Sequence, residues 1–167
     1  METNKRLLRK ANWQLFLFGR VKIPLIGYCR PRVKELSEET IRIRIPLRRR
    51  TRNHVSSMYL GVMTVGADLA SGFLAFHLSK LKGVHTNPVF KGMKAEYYKR
   101  AESAVDFICR RGNDIALMID EMKATGERIT RPIEVVAECK GEEVARFIME
   151  ISLKQSRKLS KQKKDRA

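Results

Sequence analysis

A chain of 167 residues, 43% of them hydrophobic and 7% aromatic, is the size of one domain and can bury a proper core. Three cysteines (Cys29, Cys109, Cys139) without metal-ligand spacing and only three histidines give a zinc cluster no support, and reduced thiols fit a cytoplasmic protein. The net charge of +17 is uneven: residues 1–34 carry +8, residues 42–52 and 154–167 carry +6 each, and the remainder sums to −3. Such a field attracts nucleic acid, an anionic membrane surface or the phosphates of coenzyme A, and does not choose among them.

In chain order, residues 5–18 space Leu7, Leu8, Ala11, Leu15 and Phe18 along one face of a helix that Gly19 ends. The apolar run 13–18 is too short for a secretory signal, and no small-residue cleavage site follows it. Pro24, Gly27 and Pro31 make 20–38 read as an irregular connector. Ile41, Ile43, Ile45 and Leu47 then alternate with Arg42, Arg44 and Pro46, the period of a half-buried strand with Pro46 at an edge or a strand end.

Beyond a basic loop, Ser56 and Ser57 stand where they can cap a helix predicted over 58–81. That helix is apolar nearly all round and must be buried on most sides. Its length would also cross a bilayer, but a carboxylate near mid-span costs roughly 2.5–3.5 kcal/mol. The carboxylate Asp68, with Gly61, Gly66 and Gly72 suited to close packing, favours a core helix of a soluble fold. Alternation then predicts strands over 93–98, 105–110, 133–139 and 145–153, with a hairpin at Lys140-Gly141. A short helix carrying Ile115, Met118, Ile119 and Met122 interrupts them and stops at Gly126. Residues 155–167 have no apolar periodicity and read as a frayed basic tail. The expected organisation is an N-terminal helix and connector over 1–37, a main domain over 38–154, and the tail.

Asp68 is the only formally charged residue between Met58 and Ser79. A buried carboxylate needs partners or a polar cleft. In a cleft it would have a raised pKa and serve as general base or nucleophile; in the bland alternative it pairs with one of the many arginines or points out at a helix edge. His54 could reach the same cleft, although a loop histidine is usually solvated, and His77 suits the negative end of the helix. Arg48, Arg49, Arg50 and Arg52 could meet coenzyme A phosphates or simply form a solvated basic loop. The basic runs have no interleaved aromatics, which argues against a platform for stacking single-stranded bases.

The order of strand, long apolar helix and four further strands resembles the hotdog fold. The motif is similar to that of hotdog acyl-CoA thioesterases of the phenylacetate type, which carry an Asn before the central helix, a His-Gly-Gly at its start and an Asp further along it. Here Asn53 precedes Asp68 by 15 positions, as in that pattern, and Gly61 falls at the second glycine. Tyr59 stands in place of the histidine and Leu60 in place of the first glycine. The chain therefore looks closer to a domain-of-unknown-function branch of the superfamily than to its well-studied enzymes.

The resemblance implies an α+β hotdog domain with about five strands wrapping the long helix. It implies hydrolysis of an acyl-CoA or related acyl thioester, with Asp68 activating water or attacking, Asn53 orienting the reactants and the Gly61 amide facing the developing oxyanion. Tyr59, Leu60, Met58, Val62, Val65 and Tyr97 would contact the substrate, the aliphatic ones lining an acyl channel. Neither metal nor cofactor is required. A homodimer or dimer of dimers is implied, since hotdog sites lie at a subunit interface. Two alternatives stand beside the enzyme: a non-catalytic binder of acyl-CoA or lipid, and a basic protein holding nucleic acid or anionic membrane through its termini.

Overall fold

The computed structural model describes residues 2–156. The chain begins with helix α1 (Glu2–Leu17), which runs through a π-turn (Phe18–Lys22) into the short helix α2 (Pro24–Cys29). Strands β1 (Arg32–Leu36) and β2 (Ile41–Ile45) lead to the 22-residue helix α3 (Leu60–Leu81). Then come β3 (Val89–Tyr97), β4 (Val105–Cys109), helix α4 (Gly112–Thr125), β5 (Ile129–Cys139) and β6 (Glu142–Leu153). The six strands make one antiparallel sheet in the order β1-β2-β4-β5-β6-β3, so β1 and β3 are its edges.

Alternation decides which face of each strand is buried. Ile41, Ile43 and Ile45 are buried, each worth about 1.5–3 kcal/mol of transfer free energy, while Arg42 and Arg44 take the other face. Pairing sets Arg44 opposite Asp106, and the guanidinium donates two hydrogen bonds to that carboxylate, at 2.7 and 2.6 Å. Burial alone would raise the Asp106 pKa; the hydrogen bonds and charge of Arg44, with help from Arg42, outweigh it and hold the carboxyl low. On the inner face Phe107 and Phe147 pack 6.5 Å apart under α3.

Helix α3 is long and apolar enough to cross a membrane, but here it packs on β2, β4, β5, β6 and α4. Gly66 is the point of closest approach: a Cβ there would overlap the Phe107 ring. A long helix wrapped by an antiparallel sheet is the hotdog arrangement, as the order of elements predicted.

Local expectations are corrected at three places, and one stated alternative is decided. The sheet has six strands, because the segment expected as an irregular connector supplies α2 and the edge strand β1. The strand predicted over 93–98 begins earlier, at Val89, across a bulge between Phe90 and Gly92. Helix α3 starts at Leu60 with Tyr59 as N-cap and no side-chain cap, so neither Ser56 nor Ser57 caps it. Pro46 follows the last residue of β2, the strand-end position of the two expected for it. The basic tail beyond residue 156 lies outside the described residues.

Candidate functional site

One flank of α3 is left uncovered, on the side of edge strand β3. Met93, Ala95 and Tyr97 pair with Met149, Phe147 and Ala145, whose side chains are buried in the core. Met93 and Tyr97 point the same way yet stay exposed, because the helix does not reach over them. Facing them along α3 are Thr64, Asp68 and Gly72, spaced by four and therefore on one face of the helix. The Tyr97 hydroxyl comes within reach of Thr64. A Cβ built on Gly72 would lie 3.3 Å from the Phe90 ring and 3.8 Å from Asp68 Oδ1. Ring and carboxylate thus border the gap that this glycine leaves.

Asp68 is half-buried, and among the described residues its carboxylate has neither an ion-pair partner nor a hydrogen bond. Burial pushes its pKa up to about 6, with no opposing charge to pull it back. Of the two bland alternatives, the arginine pairing is not made, whereas the carboxylate does lie at an uncovered flank of the helix. Such a carboxyl changes protonation near neutral pH, which suits proton transfer.

At the start of α3, Val62 and Met63 donate their N–H groups to Tyr59 O at 2.9 and 3.1 Å. The N–H groups of Leu60 and Gly61 have no acceptor among the described residues and sit at the positive end of the helix. The Tyr59 ring lies over this turn, with its Cε1 only 2.8 Å from where a Gly61 Cβ would be. Gly61 and Asp68 are seven residues apart, about 10.5 Å along the axis. One thioester could not touch both within a single chain.

Asn53 is occupied by its own loop. Its Oδ1 accepts from the N–H groups of Val55 (3.0 Å) and Ser57 (3.1 Å), and its Nδ2 donates to Ser57 Oγ at 3.1 Å. Asn53 N–H also donates to Ser57 O, and Ser56 takes a positive φ of 61° to close the turn. Thr51 ties this loop to the helix start, accepting from Tyr59 N–H at 2.9 Å. The exposed Arg48, Arg49, Arg50 and Arg52 therefore stand beside the N-terminal end of α3.

Of the other residues singled out by sequence, Met58 and Val62 are buried in the core, Val65 is half-buried, and Tyr59 and Leu60 are exposed. Tyr97 and Asp68 border the same open flank; nothing brings Asn53 to it. His54 is exposed in the loop, and His77 is half-buried near the end of α3, its pKa lowered by burial. Thr64 and Phe90 at this flank escape a reading of the sequence, and Gly72, read only as a packing glycine, is not assigned to it. The i±4 relation of Thr64 and Gly72 to Asp68 was the available signal, whereas Phe90 comes from a distant strand. No group of three or more metal-ligating side chains occurs among the described residues.

Sheet, wrapped helix and open edge define a protein of the hotdog class. The fold is similar to that of a proposed thioesterase from Shewanella oneidensis, at 16% identity over 90% of this chain and 98% of that one, with a TM-score of 0.74. It is likewise similar to a probable thioesterase of unknown function from Pseudomonas aeruginosa (22% identity, 86% and 95% covered, TM-score 0.70). A protein of unknown function from Chlorobaculum tepidum also matches (13%, 89% and 97%, TM-score 0.76). The chain belongs to the family described as Domain of unknown function (DUF4442), whose model matches residues 12–153. No curated protein matches it in sequence.

Proposed function

We propose that the protein hydrolyses an acyl-CoA or a related acyl thioester in the cleft between α3 and β3. The observation that carries this reading is Asp68, an unpaired carboxylate with a pKa near 6 bordering an apolar opening. In the reaction it takes a proton from water, or attacks the thioester carbonyl itself. The free N–H groups of Leu60 and Gly61 suit the oxyanion, and Arg48, Arg49, Arg50 and Arg52 beside them suit the phosphates of coenzyme A. Asn53 is then a positioning residue that shapes the loop before α3. Val65, Met93 and Tyr97 offer apolar surface for an acyl chain.

The separation of Gly61 from Asp68 argues for a composite site. A second copy paired through the open edge of β3 would run its α3 antiparallel alongside the first. One subunit's helix terminus could then serve the other's Asp68. A homodimer is accordingly part of the proposal.

The deciding experiment is hydrolysis of short, medium, long and aromatic acyl-CoAs by the parent and by Asp68→Asn. Turnover that falls about 100-fold or more in the variant is expected for loss of a general base. A second reading has its own observation: Tyr59 stands where phenylacetate-type thioesterases carry a histidine, and its ring covers the turn that holds the free amides. A non-catalytic binder would show thermal stabilisation by acyl-CoA with no turnover in either protein.

A further inference from the structure

The sheet edge opposite Asp68 carries a different surface. Helix α1, the π-turn and α2 form a helical hairpin against β1, which Asn12 fastens by accepting from Val33 N–H and donating to Val33 O, both at 2.9 Å. The two arms touch backbone to backbone: a Cβ on Gly19 would lie 2.7 Å from Gly27 N, and one on Gly27 would lie 2.5 Å from Gly19 O. The turn is therefore rigid and tightly closed. It does not hide its apolar side chains. Trp13 is 60% exposed, Val21 69% and Leu25 59%, and Phe16, Leu17, Phe18, Ile23 and Tyr28 are exposed with them. So many large apolar side chains exposed on one short hairpin mark an interaction site.

The segment that carries these side chains is strongly cationic, with Glu2 and Glu35 at its two ends. Residues 3–34 hold nine Lys and Arg and no Asp or Glu. None of the nine forms an ion pair among the described residues. Arg50 stacks its guanidinium over the Tyr28 ring at 4.8 Å, which brings the arginine loop to the same side. A groove of about 570 Å³ between α1 and β1 is lined by Trp13 and Phe16 together with Arg9, Arg32 and Lys34.

We propose that this hairpin docks the protein on an anionic lipid surface, its tip entering the boundary between headgroups and acyl chains while the Lys and Arg meet lipid phosphates. The pairing of aromatic and aliphatic side chains with basic ones is what an interfacial helix requires. A second copy of the same face would bring like charges together, and aliphatic side chains such as Val21, Ile23 and Leu25 give a nucleic acid nothing to bind. The inference does not rest on the proposed hydrolysis, although both draw on the arginine loop.

Trp13 is the only tryptophan, so its fluorescence reports on this face alone. The full chain is titrated with phosphatidylcholine vesicles, with and without phosphatidylglycerol, and with vesicles whose acyl chains are brominated. Expected are binding to the anionic vesicles, a blue shift of Trp13, quenching by the brominated lipid, and weakening as salt rises from about 50 to about 500 mM. Val21→Asp and Leu25→Asp, both at exposed positions, should keep the parent's circular dichroism and each lose about tenfold or more in affinity. Vesicle binding without a Trp13 response, or binding that both variants retain, would mean that charge elsewhere is responsible and would overturn the proposal. So would a response to single-stranded oligonucleotide with none to vesicles, or lipid-free self-association that shields Trp13 from acrylamide.

Discussion

Asp68 sets activity against stability in a single side chain. Its folded pKa, about 6, lies above the ordinary value of 3.8, so the fold favours the protonated form. The corresponding stabilisation is present below the unfolded pKa and is lost as pH rises through about 6, up to about 3 kcal/mol in all. Asp68→Asn should therefore melt several degrees higher than the parent at pH 8, with the gain vanishing near pH 4, while thioester turnover collapses. In the parent, kcat/KM should rise with pH through an apparent pKa of about 6; a flat profile across pH 5–8 would remove Asp68 from the base role. Asp106 works in the opposite sense: its depressed pKa contributes stability above the unfolded value that is lost on acidification. Acid unfolding of Arg44→Met should accordingly be less steep than that of the parent. Asp68 was legible in the sequence because it is the one charge in an apolar run. Phe90 was not, since it reaches the same gap only through the pairing of β3 with β6.

At the level of elements, legibility followed burial on alternate positions. In β2 every second residue is buried, and the pattern announces the strand. In β1 only Val33 and Leu36 are buried, three apart across a bulge, and Arg32, Lys34 and Glu35 fill the rest, so the period is broken where it would be read. Helix α2 is six residues long, begins at a proline and contains Gly27, which leaves no periodicity to detect. The start of α3 is not legible from Ser56-Ser57 because the Ser57 hydroxyl is taken by Asn53 rather than by the helix. Close packing makes its own prediction: Gly66→Ala drives a methyl into the Phe107 ring and should cost about 1–3 kcal/mol in denaturant unfolding. Trimming the ring with Phe107→Leu in the same chain should recover part of that loss, whereas simple additivity would exclude the contact.

For the whole molecule, the order of elements carried the hotdog fold, while nothing in the order of residues could say which flank of α3 stays open. That depends on α4 covering one side and on β3 lying at the far edge. If two copies share the site across β3, specific activity should fall on dilution as dimers dissociate, in step with the mass measured by sedimentation. Activity per chain that is constant through that transition would make the site the property of one subunit.

The strand order also has a consequence for how the chain acquires its structure. β3 has one partner, β6, which begins at Glu142, 45 residues after β3 ends at Tyr97 (142 − 97). β5 and β6, by contrast, meet across the two-residue turn Lys140-Gly141 and can zip locally. A synthesised chain therefore carries β3, with Val89, Met93 and Tyr97 bare, until the hairpin behind it has closed. The strand that borders the cleft joins the sheet only after β6 has been made, and in a single chain β6 alone holds it there.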